Sequence, residues 1–260
     1  WSSDVCSSDL HADPGVELFT NLDMKSGPSP EQTRRCLDAL ARLHSTHFGL
    51  SLQERQEILP LDYHPFLSPS MGFVSKALNR MALKPCIKKH PGKLPPWVIS
   101  AYQLTLAHWE ELLGFWFAEP LSLLHGDSHL GNFFISGDQM GMLDWQAAHW
   151  GKGIRDVQYF LVDSLPSDEL AKHERELIAY YVERRGVHGE PIEYETTWEA
   201  YRGFAYHPLM TIVVSIGFGA LNSEQDSLLG EILDRAVAAV ERLDYPGWLD
   251  DFLANRPSAP

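Results

Sequence analysis

Two aspartates and an asparagine, packed into 18 residues, carry the chemistry of this chain. They are Asp127, Asn132 and Asp144, within the run Leu121–Gln146, LSLLHGDSHLGNFFISGDQMGMLDWQ. A carboxylate five residues before a carboxamide, with a second carboxylate a dozen residues on, forms a set of hard oxygen donors. Magnesium prefers such donors and keeps much of its shell for water and phosphate. The same set serves phosphoryl transfer, which needs one carboxylate to orient and deprotonate a hydroxyl, and an Asn and an Asp to hold the ions that bridge the phosphates.

Short elements must bring these residues together. Leu121 to Leu124 is an apolar run that reads as a buried strand or helix end and delivers His125-Gly126-Asp127 to a loop. Phe133-Phe134-Ile135 and Met140-Gly141-Met142-Leu143 read as two strands joined by the turn formers Ser136-Gly137-Asp138-Gln139. The hairpin this predicts folds Asp144 back beside the loop that holds Asp127 and Asn132.

His125-Gly126-Asp127-Ser128-His129-Leu130-Gly131-Asn132, followed by Leu143-Asp144-Trp145-Gln146, resembles the aminoglycoside phosphotransferase and choline kinase-like family, relatives of the protein kinases. The ending Asp-Trp-Gln is closer to the ecdysteroid-kinase-like branch. The resemblance implies that Asp127 is the catalytic base and that Asn132 and Asp144 are magnesium ligands. His125 is implied to brace the catalytic loop, and Asp156, in Gly153-Ile154-Arg155-Asp156, to tie down its backbone. It also implies ATP as phosphoryl donor, Mg2+ as cofactor, and a small-molecule hydroxyl as acceptor. His129 recurs in the family pattern and stays outside the catalytic set.

The fold expected is α+β and mainly α: a protein-kinase-like carboxyl-terminal lobe with a small catalytic hairpin, its amino-terminal lobe largely missing. No G-x-G-x-x-G occurs, and no Lys lies in a strand-like run; Lys84 to Lys93 reads as a solvated basic loop. Residues 1–10 resemble the translation of a sequencing adapter and are expected to be non-native. Residues 11–28 are expected to be a hinge remnant, with Val16–Asp23 resembling the last amino-lobe strand and hinge. Residues 29–260 form the catalytic and substrate lobe.

The helices follow from their signals. Ser29-Pro30-Glu31-Gln32 opens one with a capping box and a first-position proline, and Gly49 stops it. Trp97 to Phe117 has the spacing of one long central helix. Ile154–Leu165, Ser167–Arg185, Glu193–Leu221 with a break at His207-Pro208, Glu224–Leu243 and Gly247–Asn255 follow. Glu193, Glu195, Trp198, Tyr201 and Tyr206 are candidates to line a cation pocket, against ordinary helix faces.

The chain is 260 residues with 44% apolar content and a formal charge of −14, which provides for a core and argues against nucleic acid. Cys6, Cys36 and Cys86 show no metal spacing and no even disulfide set, which suits a reducing cytoplasm. The longest apolar run, Leu209–Leu221, is short for a bilayer, so no membrane partner is expected. Two other readings remain: a non-catalytic, pseudokinase-like or fragment binding module, and a metallohydrolase using His125, Asp127, His129 and Asp144.

Overall fold

The computed structural model describes residues 15–60 and 69–255, so the adapter-like segment 1–10 lies outside the described residues. A short strand, β1 (Val16–Leu18), leads through Thr20 into α1 (Asn21–Ser26); the Thr20 hydroxyl and the Asp23 carboxylate cap one another's backbone amides. α2 (Pro30–Thr46) opens as its sequence predicts, with Ser29 accepting from the Gln32 amide and Gln32 reaching back. After α3 (Leu52–Ile58) comes α4 (Gly72–Lys89), which takes in Lys84–Lys89 of the stretch expected as a loop. The helix runs through Pro85. The carbonyl this proline frees belongs to Met81, which is 62% exposed, so water can serve it.

The basic stretch after it is therefore mostly helix and clamp rather than loop. Lys89 donates to the carbonyls of Ile216 and Gly219, and Lys93 to that of Gly230 and to Asp234. The expected single helix from Trp97 is two, α5 (Pro96–Ala107) and α6 (Trp109–Trp116), separated at His108. Trp109, fully buried, donates its indole N–H to the Gly72 carbonyl, an anchor that no local pattern announces.

Two small sheets carry the candidate site. β2 (Ser122–Leu124) pairs antiparallel with β5 (His149–Gly151), and β3 (Phe133–Ser136) forms a hairpin with β4 (Gln139–Met142), with β1 added to its β3 edge. The predicted hairpin is present, with Gly137 in the turn. Behind the sheets lies α7 (Ile154–Ser164), buried along its whole length. It is this helix, not the Trp97 region, that forms the centre.

Around it pack α8 (Ser167–Val187), α9 (Tyr194–Gly203), α10 (Tyr206–Phe218), α11 (Ser223–Arg242) and α12 (Tyr245–Ala254). The α9–α10 break falls at Phe204-Ala205, ahead of the expected position, because Pro208 sits in the first turn of α10, where its missing N–H is not needed. Among the described residues no helix is long and apolar enough to cross a membrane.

Candidate active site

β2 ends at His125, and the loop that follows is held from behind by one buried carboxylate. Asp156, in the first turn of α7, accepts the amides of His125 (2.7 Å) and Gly126 (3.1 Å), while its own carbonyl accepts the Ser128 hydroxyl (2.8 Å). His44 of α2 adds a bond to the same carboxylate (3.3 Å), and its other ring nitrogen meets the Tyr181 hydroxyl (2.9 Å), which Arg185 contacts in turn. Burial alone pushes the Asp156 carboxyl up; the His44 hydrogen bond and the nearby imidazoles outweigh it and hold the group below its ordinary value. Both ring nitrogens of His44 are thereby engaged. His44 and Tyr181 were missed as part of the brace, because nothing in the sequence ties α2 and α8 to this loop.

Gly126 follows from the same crowding. Its φ is +85°, and a Cβ there would be driven into the Ala147 carbonyl. His149 donates to that carbonyl from Nδ1 (2.8 Å) and accepts from the buried Arg155, which also donates to His207 (2.6 Å). Burial lowers the Arg155 guanidinium to about 10.

In front of the brace, the oxygen-bearing residues come together through short links. His125, fully buried, contacts the Leu143 carbonyl through Nε2 (2.6 Å) and accepts the Asp127 amide on Nδ1 (3.3 Å). Asn132, closing the single 3-10 turn Leu130–Asn132, donates Nδ2 to the Asp127 carbonyl (2.7 Å) and carboxylate (3.3 Å). That fixes the amide's orientation and leaves Oδ1 outside this link. Leu143 donates its amide to the Asn132 carbonyl (2.8 Å). Asp144 thus lies two residues beyond the end of β4, next to Leu143, which is tied to both His125 and Asn132. It is exposed and left-handed (φ 56°), with Gln146 donating to its carboxylate (3.3 Å).

Asn132 Oδ1 and the Asp127 and Asp144 carboxylates are a hard donor set that fits magnesium with water and phosphate completing its shell. The zinc-hydrolase set does not fit. Both nitrogens of His125 are committed, and among the described residues no three His, Cys, Asp or Glu side chains gather as an ion would require.

Asp127 opens onto a cavity of ≈ 360 Å³ between α7, α10 and α11, which His129, Tyr159 and Asp163 also line. His129 stands 3.8 Å from the Asp127 carboxylate. Tyr159 faces Asp127, and burial with the charges of Asp163 and Asp127 raises its hydroxyl well above the ordinary range. Sequence reasoning missed Tyr159 and Asp163. The signal was there: Asp156, Tyr159 and Asp163 recur at three and four residues, one stripe of a helix.

The proposed cation-pocket residues are elsewhere in role. Glu193 caps α9, Trp198 stacks on Tyr201 (5.6 Å), Tyr201 donates to the buried Glu174 (2.7 Å), and Tyr206 stacks on Tyr245 (5.6 Å). They are cap and core, and Glu195, whose amide donates to the Glu193 carboxylate, is an exposed helix residue.

Residues 10–204 match the model of the phosphotransferase enzyme family. Comparison with curated proteins returned no match. Among solved structures, a choline/ethanolamine kinase family protein from Mesorhizobium loti is similar over 94% of this chain and 73% of its own, at 15% identity and a TM-score of 0.55. The choline kinase LicA from Streptococcus pneumoniae is similar over 89% and 68%, at 12% identity and a TM-score of 0.50. These likenesses show a mainly helical, kinase-like fold. The family match covers well over half of the chain, and the chain therefore belongs to the phosphotransferase enzyme family.

Proposed function

We propose that the chain transfers a phosphoryl group from ATP to the hydroxyl of a small molecule, with Mg2+ as cofactor. The observation that carries the reading is the joint placement of Asp127 and Asn132. One Nδ2 bridges the Asp127 carbonyl and carboxylate, so the base is held where it lines a cavity and the amide oxygen is not spent on that link.

An acceptor hydroxyl entering from the cavity donates to Asp127, which takes its proton as the oxygen bonds to the γ-phosphorus of ATP and the bond to the bridging oxygen breaks, releasing ADP. Asn132 and Asp144 would hold the ion. Bound magnesium supplies positive charge against the phosphate oxygens, which lowers the cost of bringing them beside two carboxylates. His125 keeps the two halves of the site in register by contacting Leu143 and receiving Asp127.

The test is Asp127→Asn, a near-isosteric change that removes the base. Incubation with Mg-ATP and pooled small alcohols, read as phosphorylated product by mass spectrometry, should show turnover reduced by about a thousandfold, with unchanged circular dichroism. Equal turnover in the variant overturns the assignment.

A further inference from the structure

The cavity beside Asp127 contains a second carboxylate in a different condition. Asp163, one turn beyond Tyr159 on α7, is 6% exposed and lines the cavity, and its Oδ2 has no hydrogen-bond partner among the described residues. Arg235 does not supply one, since its Nη groups donate to the backbone carbonyls of Asp163, Met24 and Lys25. Burial raises the Asp163 carboxyl to about 6; the His129 and Arg235 charges oppose the rise and the Asp127 charge adds to it. A buried carboxylate without a donor costs stability, and a ligand that donates to it offsets that cost.

The remaining wall is largely aliphatic: Met24, Pro208, Ile212, Leu229 and Ile232. Thr211, beside them, turns its hydroxyl onto the His207 carbonyl (3.1 Å) rather than into the space. Tyr159 is the single Phe, Tyr or Trp among the lining residues, with the His129 imidazole beside Asp127, so a quaternary ammonium would find no cage of phenyl or indole faces here. Such a head also has no N–H to offer Asp163. The volume, ≈ 360 Å³, is at the low end for small-molecule sites.

From this geometry we infer that the acceptor is a small alcohol with an aliphatic body and a second hydrogen-bond donor, a hydroxyl or primary amine, which Asp163 receives while the first hydroxyl meets Asp127. The inference rests on the reading of Asp127 as the base. It makes Asp163 the residue that sets acceptor specificity, and it separates this chain's acceptor from choline.

The experiment is a binding titration by protein-observed NMR on the chain as it stands, so it does not depend on turnover. The probes are ethanol, butanol and hexanol, the diol and the amino alcohol of each chain length, and choline. At least one diol or amino alcohol should bind about tenfold more tightly than both the simple alcohol of its length and choline. Asp163→Leu should erase that advantage and leave the simple alcohols within about threefold of their original affinity. If that variant is misfolded by near-ultraviolet circular dichroism, Asp163→Asn keeps the shape and should weaken the amino alcohols more than the diols, because it removes the charge. Simple alcohols or choline equalling the bifunctional probes, a preference that survives in the variant, or no binding by any probe would overturn the inference. Binding as expected, with Asp127→Asn turning over as fast as the unaltered chain, would count against Asp127 as base and not against this pocket.

Discussion

Asp156 and Asp163 occupy the same helix two turns apart, and both are almost wholly buried, yet they are opposites. Asp156 is surrounded by donors: two backbone amides and an imidazole that is itself backed by Tyr181 and Arg185. It sits below its ordinary protonation range. Asp163 keeps an oxygen without a partner and sits above that range. Burial is common to the two, so it is donor count that distinguishes an acid that holds structure from one that waits for a ligand. One stripe of α7 holds the loop at the helix's first turn and, two turns on, lines the space the loop works on.

The contrast can be broken most forcefully at Asp156. Asp156→Ala leaves the His125 and Gly126 amides without acceptors in a dry interior, and urea unfolding should show a loss of roughly 3–5 kcal/mol. Because its native pKa is depressed, the group's contribution is present above the ordinary 3.8 and fades as pH falls through the lower native value. The deficit of the variant should therefore shrink in acid. A deficit below about 1 kcal/mol at neutral pH would mean the brace is not what holds the loop.

Asp163 should respond with the opposite sign. Its native pKa is raised from 3.8 to about 6, so ionisation is harder in the folded state, and native stability falls as pH rises through that interval. Asp163→Leu removes this cost and should stabilise the protein by on the order of 1–3 kcal/mol above pH 6, with the gain vanishing below pH 3.8. Destabilisation at neutral pH would erase the distinction between the two acids. The smallest effect expected is at the periphery of the brace. Tyr181→Phe removes one hydroxyl from His44 and should cost about 1 kcal/mol in thermal or urea unfolding, with no change in ligand binding to the cavity.

How far the sequence foretold this depends on the range of the contacts. The oxygen-bearing residues and the hairpin were legible because spacing within Leu121–Gln146 is local information, and turn formers mark the reversal. The Ser29 cap was legible for the same reason. The cavity was not, since its walls come from α1, α7, α10 and α11, separated by up to about two hundred residues; Asp156, Tyr159 and Asp163 share a stripe, but α7 is buried all round and the stripe alone does not say that it faces a cavity. Glu193, Trp198 and Tyr206 drew notice as charged or aromatic residues, which composition alone cannot sort into pocket and core. The split at His108 depends on Trp109 reaching a carbonyl on α4, a tertiary contact outside any window.

The tight turn at Gly126 has a genetic corollary. Every single-base change of a glycine codon that alters the residue either attaches a side chain or ends translation, and here the added carbon meets a carbonyl that His149 helps hold in place. Lineages carrying this gene have no neutral amino-acid neighbour at codon 126, so in a saturation library that position should tolerate synonymous variants alone.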